Sequence, residues 1–499
     1  MSTISKRASR LAIMIESTGG VPVPPASGAD FVALQDDYTL ESVFEELNSA
    51  ELQGTIGQAK SVLGVEDPTA GTSSYLKGSG TQGTAPGNGK MIQAVLGGVA
   101  AASNEYNTVA GSTVSVVNVD TGEGVNYQRG QALLVKKTTG VGHEIRNVLS
   151  VTGDALTLGF NLADAPGTGV NLGRAVLYKP EDTHPDLTIW EYEGNGGLVQ
   201  MITGAKAASM AITADPNSFL VSRFEFEGIS YFRNPMQVEA GNSSLDFDIG
   251  GGELNATVPV KWYKTPHQLA EAVQASMNAL ASGITVTYSN STGRFTIAKA
   301  SGTLDLLWST GTNTATSIGA LLGFDVAADD TGTLSYLADS AQDYSSPFEP
   351  VYDTTNPLVA KNGEVYLGDA TDIVCFGAQN MTATITNTLA SITDICEESG
   401  RASKRVTARA IEMSFVATAK KNDLSKFEKF RNGSNVRFML NVGEKSGGNW
   451  VAGRCVNMFS PTASIVADVV ADVDDVTVFN LTVRCHVEQG AGEFYINYV

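Results

Sequence analysis

Glycine-rich loops, carboxylate pairs, thiols and imidazoles are where this chain could carry chemistry, and each is weighed by its spacing. GSGTQG, Gly78–Gly83, has the glycine spacing of a dinucleotide-binding loop, but no apolar strand precedes it and no helix follows directly, so the helix N-terminus that would meet a pyrophosphate is missing. A flexible loop suffices. GNGKM, ending at Met91, resembles a phosphate loop only in part: the first glycine of that pattern is missing and Met91 stands where Ser or Thr would meet magnesium. Asp329–Asp330 and Asp474–Asp475 could serve acid–base chemistry or calcium, but both lie in small-residue turns without a coordinating pattern and read as solvated turns. Cys375, Cys396, Cys455 and Cys485 lack C-x-x-C spacing, and His143, His184, His267 and His486 are far apart, so neither zinc nor a redox pair is signalled. There is no G-x-S-x-G elbow and no nucleophile, base and orienter set. The reading is of a non-enzyme without cofactor or metal.

Charge is more informative. The 33 Lys+Arg against 53 Asp+Glu give a formal charge of −20, which argues against tight binding to nucleic acid or an anionic membrane. Within this acidic chain, Arg401, Lys404, Arg405, Arg409, Lys420, Lys421, Lys426, Lys429, Arg431 and Arg437 form a basic stretch without interleaved aromatic platforms. It is expected to meet an acidic face of a neighbouring subunit, Glu41, Glu45, Glu46 and Glu51; a plain solvated face is the alternative. No apolar run is long enough to span a bilayer, and the start reads as cytosolic without a cleaved signal.

The elements that must carry these groups are mostly strands. With 499 residues, 52 of them glycine, and 8% aromatics, the composition is that of short strands joined by many turns. Leu40, Val43, Phe44 and Leu47 at helical spacing predict a helix over 38–52, with Asp36 and Asp37 before it. GTSSYLKGSGTQGTAPGNGK then predicts a long exposed loop. Residues 112–180 read as a small inserted, barrel-like β-module, and 231–345 as an inserted α+β module that projects outward. The latter holds a helix capped by Thr265, with a Leu269, Val273, Met277, Leu280 stripe, and a hairpin ITVTYS/RFTIAK. The last part, 346–499, returns to strands around one helix capped by Asp423, as a sandwich or barrel. GAKAASMAI from Gly204 and GAQNMTATI from Gly377 share a register; removing both insertions leaves two comparable halves, 1–111 with 181–230 and 346–499, which predicts a duplication.

These features resemble the siphophage tail tube (major tail) proteins. The resemblance is carried by RLAIMIEST, GGVPVPP and ADF at the start, LTIWEYEGNGGLVQMITGAKAASMAI in the middle, and RVTARAIEMSFVAT, DLSKFEKF and VRFMLNV near the end; the two inserted modules depart from the family pattern. It implies a mainly β fold of tail-tube-type sandwich or barrel modules with flanking helices, duplicated here. It further implies a structural virion protein, assembled in the host cytoplasm, whose rings stack into the tube that conducts DNA from capsid to host. The implied partners are other copies of the chain in rings of sixfold or pseudo-sixfold symmetry, with tape-measure, tail-terminator and baseplate proteins. DNA would pass the lumen without specific binding, and no membrane is involved. Two modules per chain favour a trimer over a hexamer. Tyr75, Leu76 and Lys77, in the predicted loop, are the candidates for ring-to-ring contact. A tail fibre, decoration or host-binding protein is the alternative class.

Overall fold

The computed structural model describes residues 8–50, 60–101, 105–370, 374–375, 378–418, 431–473, 475–488 and 492–499. The chain is mainly β and its large sheets are antiparallel. It divides into two compact units: 1–11, 189–202 and 231–349 form the smaller, and 12–188, 203–230 and 350–499 the larger.

The larger unit is organised by one strand of 25 residues, Asn449–Val473. Its first half pairs with Val436–Ser446 on one side and Tyr495–Tyr498 on the other. This run continues to Glu364–Gly368 at one end, and through Val176–Pro180 to Gly97–Ala100 at the other. Residues 455–463 are buried without alternation, as expected for a strand covered on both faces. The second half of the same strand enters a different run. It pairs with Val476–Cys485, then Arg401–Thr418, Ala378–Thr393, residues 209–214, Val221–Glu227, Val62–Tyr75 and finally Thr39–Leu47.

Thr39–Leu47 is a strand where spacing predicted a helix. Its apolar residues do recur at helical intervals, but the sequence also supplies a partner, and Thr39↔Gly71 through Leu47↔Val62 satisfies the backbone across a hairpin. Residues 51 and 52 of that predicted helix, and the Asp423 helix, lie outside the described residues. The loop predicted from Gly71 is likewise corrected: Gly71–Tyr75 pairs with Val221–Glu225, Leu76 is buried, and Lys77 bridges Pro357. The chain becomes irregular only after that, before the buried helix Gly89–Leu96.

Ser209–Ala214 and Met381–Thr386, from the two repeat segments, lie side by side and antiparallel. Successive modules of a sixfold ring are related by a rotation of about 60°, under which corresponding strands diverge by no more than that angle. Antiparallel neighbours instead imply a local twofold relation. The trimer expectation therefore loses this repeat as its basis; Gly377 itself lies outside the described residues.

Within the larger unit a six-stranded sheet runs Tyr106–Asn107, Asn171–Arg174, Ala132–Lys136, His143–Thr152, Ala155–Leu158, Val116–Asn118. A bridge between Thr108 and Val119 joins its two edges and closes it into a small barrel. Strand alternation sorts the side chains: Leu133, Val135, Val148, Leu156 and Leu172 form one apolar cluster, while Ala132, Leu134 and Ile145 pack on Trp450, Cys455 and Val499.

The smaller unit has its own core. The helix Pro266–Asn278, with Thr265 accepting from the Gln268 backbone N–H, buries Leu269, Val273 and Met277. The hairpin Ile284–Ser289/Arg294–Lys299 and the strand Ser335–Leu337 add Ile284, Val286, Phe295 and Ile297 to the same cluster. Leu280, placed on the helical stripe by spacing, lies beyond the last turn and is exposed.

Candidate assembly surface

Within one chain, cations of the basic stretch pair with carboxylates other than Glu41, Glu45, Glu46 and Glu51. Lys404, whose side chain is 1% exposed, places its ammonium 3.2 Å from Asp67 and 2.7 Å from Glu227. Arg401 lies 3.1 Å from Asp67 and donates to the carbonyl of Glu66. Arg409 pairs with Glu493 at 2.6 Å and donates to the Leu96 carbonyl. Arg401, Lys404 and Arg409, three of the predicted inter-subunit cations, thus have partners on their own chain; Arg405 is exposed, and Lys420, Lys421, Lys426 and Lys429 lie outside the described residues. Glu41, Glu45 and Glu46 are exposed on the Thr39–Leu47 strand, and Glu51 lies outside the described residues. Spacing could not have found Asp67 and Glu227, because strand pairing alone brings residues so far apart in sequence together.

His184 sits beside Arg409. Burial lowers its pKa, and the ring is held as the neutral tautomer: Nδ1 donates to the Ala94 carbonyl at 2.9 Å and Nε2 accepts from Arg409 at 3.3 Å. Burial pushes Cys455 and Cys485 up to about 12, so both thiols are inert, while Cys396 is exposed at a hairpin tip. Among the described residues no three His, Cys, Asp or Glu side chains converge as metal ligands, and no helix is long and apolar enough to cross a membrane.

The glycines of GSGTQG have a packing role. The Gly80 N–H donates to the Gly453 carbonyl at 2.9 Å, and a Cβ on Gly78 would lie 2.2 Å from that same oxygen, so the loop needs glycine to let two backbones meet. Asp329 and Asp330, in the smaller unit, are more than solvated turn residues: Asp329 accepts from Ser309 and Thr310, and Asp330 from the Trp308 indole.

What the surface offers is unpaired apolar area on hairpin arms. Val43 and Phe44, Val62 and Leu63, and Val469 and Val470 are consecutive strand residues, so each pair points to opposite faces, and all six are exposed. Tyr75, one of the predicted inter-ring residues, is half-exposed and meets Phe219 edge-on at 5.3 Å; Leu76 is buried, and the Lys77 ammonium donates to the Asp353 carbonyl at 3.1 Å. Leu76 is therefore withdrawn as a contact residue, and Tyr75 stays at the surface. Comparison with protein-family models and with curated proteins returns no match.

Proposed function

We propose that this chain is a self-assembling structural protein of the tail tube type, its copies forming rings that stack into a conduit for DNA. The observation that carries the reading is the set of hairpin arms with apolar residues on both faces. The end of the Thr39–Leu47/Val62–Tyr75 hairpin that carries Val43, Phe44, Val62 and Leu63 is two-stranded, and a two-stranded ribbon uncovered on both sides is marginal in water; it, and the exposed Val469–Val470 edge of the longer sheet, are stabilised when further chains cover them. Thr39–Leu47 adds a free edge among the described residues, able to accept another strand. The formal charge of −20 suits a lumen that lets phosphates slide past. Tape-measure, tail-terminator and baseplate proteins would be the partners at the ends of such a tube.

A host-binding tail component is the second reading, favoured by the separate core of residues 231–349. Negative-stain microscopy of the purified chain across concentration separates the two. Rings or hollow tubes are expected; fibres or a monomer at every concentration and salt would refute the tube, and symmetry averaging of rings counts the chains.

A further inference from the structure

Two features of the larger unit have complementary shape and chemistry. The first is a groove. Two adjoining cavities, of about 280 and 390 Å³, share Tyr75 as a common wall. Phe31, Val32, Val351 and Tyr352 line one, and Pro216 and Phe219 the other. Val351 is 68% exposed at the rim although the groove floor is apolar. Gln35 lines the second cavity, and its amide nitrogen is shielded from solvent with no hydrogen-bond partner. An unmade bond at a shielded donor is costly, and an incoming carbonyl would supply it. Lys77, on the first wall, bonds a carbonyl and has no carboxylate partner among the described residues.

The second feature is a knob. The hairpin of Ala378–Thr393 and Arg401–Thr418 ends in a turn fixed by its own backbone: Asp394 N–H donates to Gly400 O at 3.1 Å, and Gly400 N–H to Glu397 O at 2.9 Å. The Cys396 N–H donates to the Asp394 carboxylate at 2.9 Å. This braced turn holds Ile395 outward at 102% exposure, as bare as in an extended peptide. Asp394 and Glu397 flank it, the sign that Lys77 would attract.

We propose, resting on the self-assembly reading above, that the Ile395 tip of one chain seats in the Tyr75 groove of a second copy, with Asp394 or Glu397 meeting Lys77 and a tip carbonyl meeting the Gln35 amide. Knob and groove are different patches of one chain, so the contact is head-to-tail and propagates into a closed ring or a continuing stack. Because the turn is already braced, seating it orders little that was free.

Native Cys396, adjacent to the knob, reports on the contact. In assembled V351C protein under mild oxidation, disulfide-linked ladders are expected on a non-reducing gel. They should be missing from V351C/C396S and from V125C, which carries its thiol at an exposed position of the larger unit that does not line the groove. I395D, at a position without intrachain packing, should keep the wild-type melting curve and raise the critical concentration for assembly roughly tenfold or more, the factor set by losing an aliphatic anchor. Assembled V351C particles without cross-links, or I395D assembling like wild type, overturn this contact and leave the tube reading standing. A wild-type chain that never assembles overturns both.

Discussion

Replacing Asn457 by leucine tests how the small barrel is held to the sheet beneath it. Asn441, Asn457 and Asn497 face one another in register across three adjacent strands, and Asn147 of the barrel joins them; all four are wholly buried. Asn457 is saturated. Its amide nitrogen donates to Asn147 Oδ1 at 2.9 Å and Asn441 Oδ1 at 2.7 Å, and its oxygen accepts from Asn147 at 2.7 Å and Asn497 at 3.1 Å. Leucine fills nearly the same volume, so the cost is in the hydrogen bonds. The nitrogens of Asn147 and Asn497 keep their bonds to the Gly130 carbonyl, but the oxygens of Asn147 and Asn441 lose their Asn457 donor. At about 1–3 kcal/mol for each buried polar atom left unsatisfied, N457L should cost about 2–6 kcal/mol. The double variant N147L/N457L removes one of those orphaned oxygens and should cost less than the sum of its single variants by about 1–3 kcal/mol. Native-state hydrogen exchange reads this directly: the Ala132 amide, which donates to Asn497 Oδ1, and its barrel neighbours should lose protection before the long strands do. A cost for N457L under about 1 kcal/mol, or strict additivity in the double variant, would refute the account of the amides as one coupled network.

Two further outcomes follow from charges in defined surroundings. Glu144 is buried in the barrel, paired with Lys137 and with Arg146 at 2.7 Å, so E144Q leaves two buried cations short of a counter-charge. It should destabilise by about 3–5 kcal/mol, measured by urea titration, and a loss near zero would contradict the pairing. In the smaller unit, backbone N–H groups of Gly250, Gly252 and Gly251 hold the Asp248 carboxyl below its ordinary range, and Ser309 and Thr310 do the same for Asp329 although partial burial pulls that carboxyl upward. A depressed folded-state pKa contributes stability that is present above the unfolded value of about 3.9 and disappears as pH falls through the folded value. Protection of the 248–252 and 309–310 amides relative to their intrinsic exchange rates should therefore hold at pH 5 and fall only below the usual carboxylate range; loss of protection already at pH 5 would contradict the assignment.

Much of the smaller unit could be read from its residues, because its signals are local. Thr265 and Pro266 start a helix at that point, and ITVTYS with RFTIAK alternates around a short turn that pairs Ser289 with Arg294. The Thr39–Leu47 strand could not be read this way, since its helical spacing is outweighed by a partner strand beginning fifteen residues later. The ion pairs of Lys404 depended on strands whose order no local pattern encodes. The amide row did leave a trace: IRNVL, MLNVG, CVNMF and YINYV each set one asparagine inside an apolar run. A lone amide in a strand that buries its neighbours needs a partner of its own kind, and four such runs in one chain point to each other.

The barrel's two stems have a consequence for how this protein can vary. Gly97–Ala100 and Val176–Pro180 are antiparallel neighbours, with Ala100 opposite Leu177, so the chain departs from the sheet and rejoins it only about 5 Å away. A host sheet does not register what is strung between two points that close together, and the entropy of closing such an excursion rises only with the logarithm of its length. The position acts as a socket: lineages or engineers could exchange its contents for a tight turn, a longer domain or a displayed epitope without re-registering a strand, provided the newcomer satisfies the amides left bare beneath it.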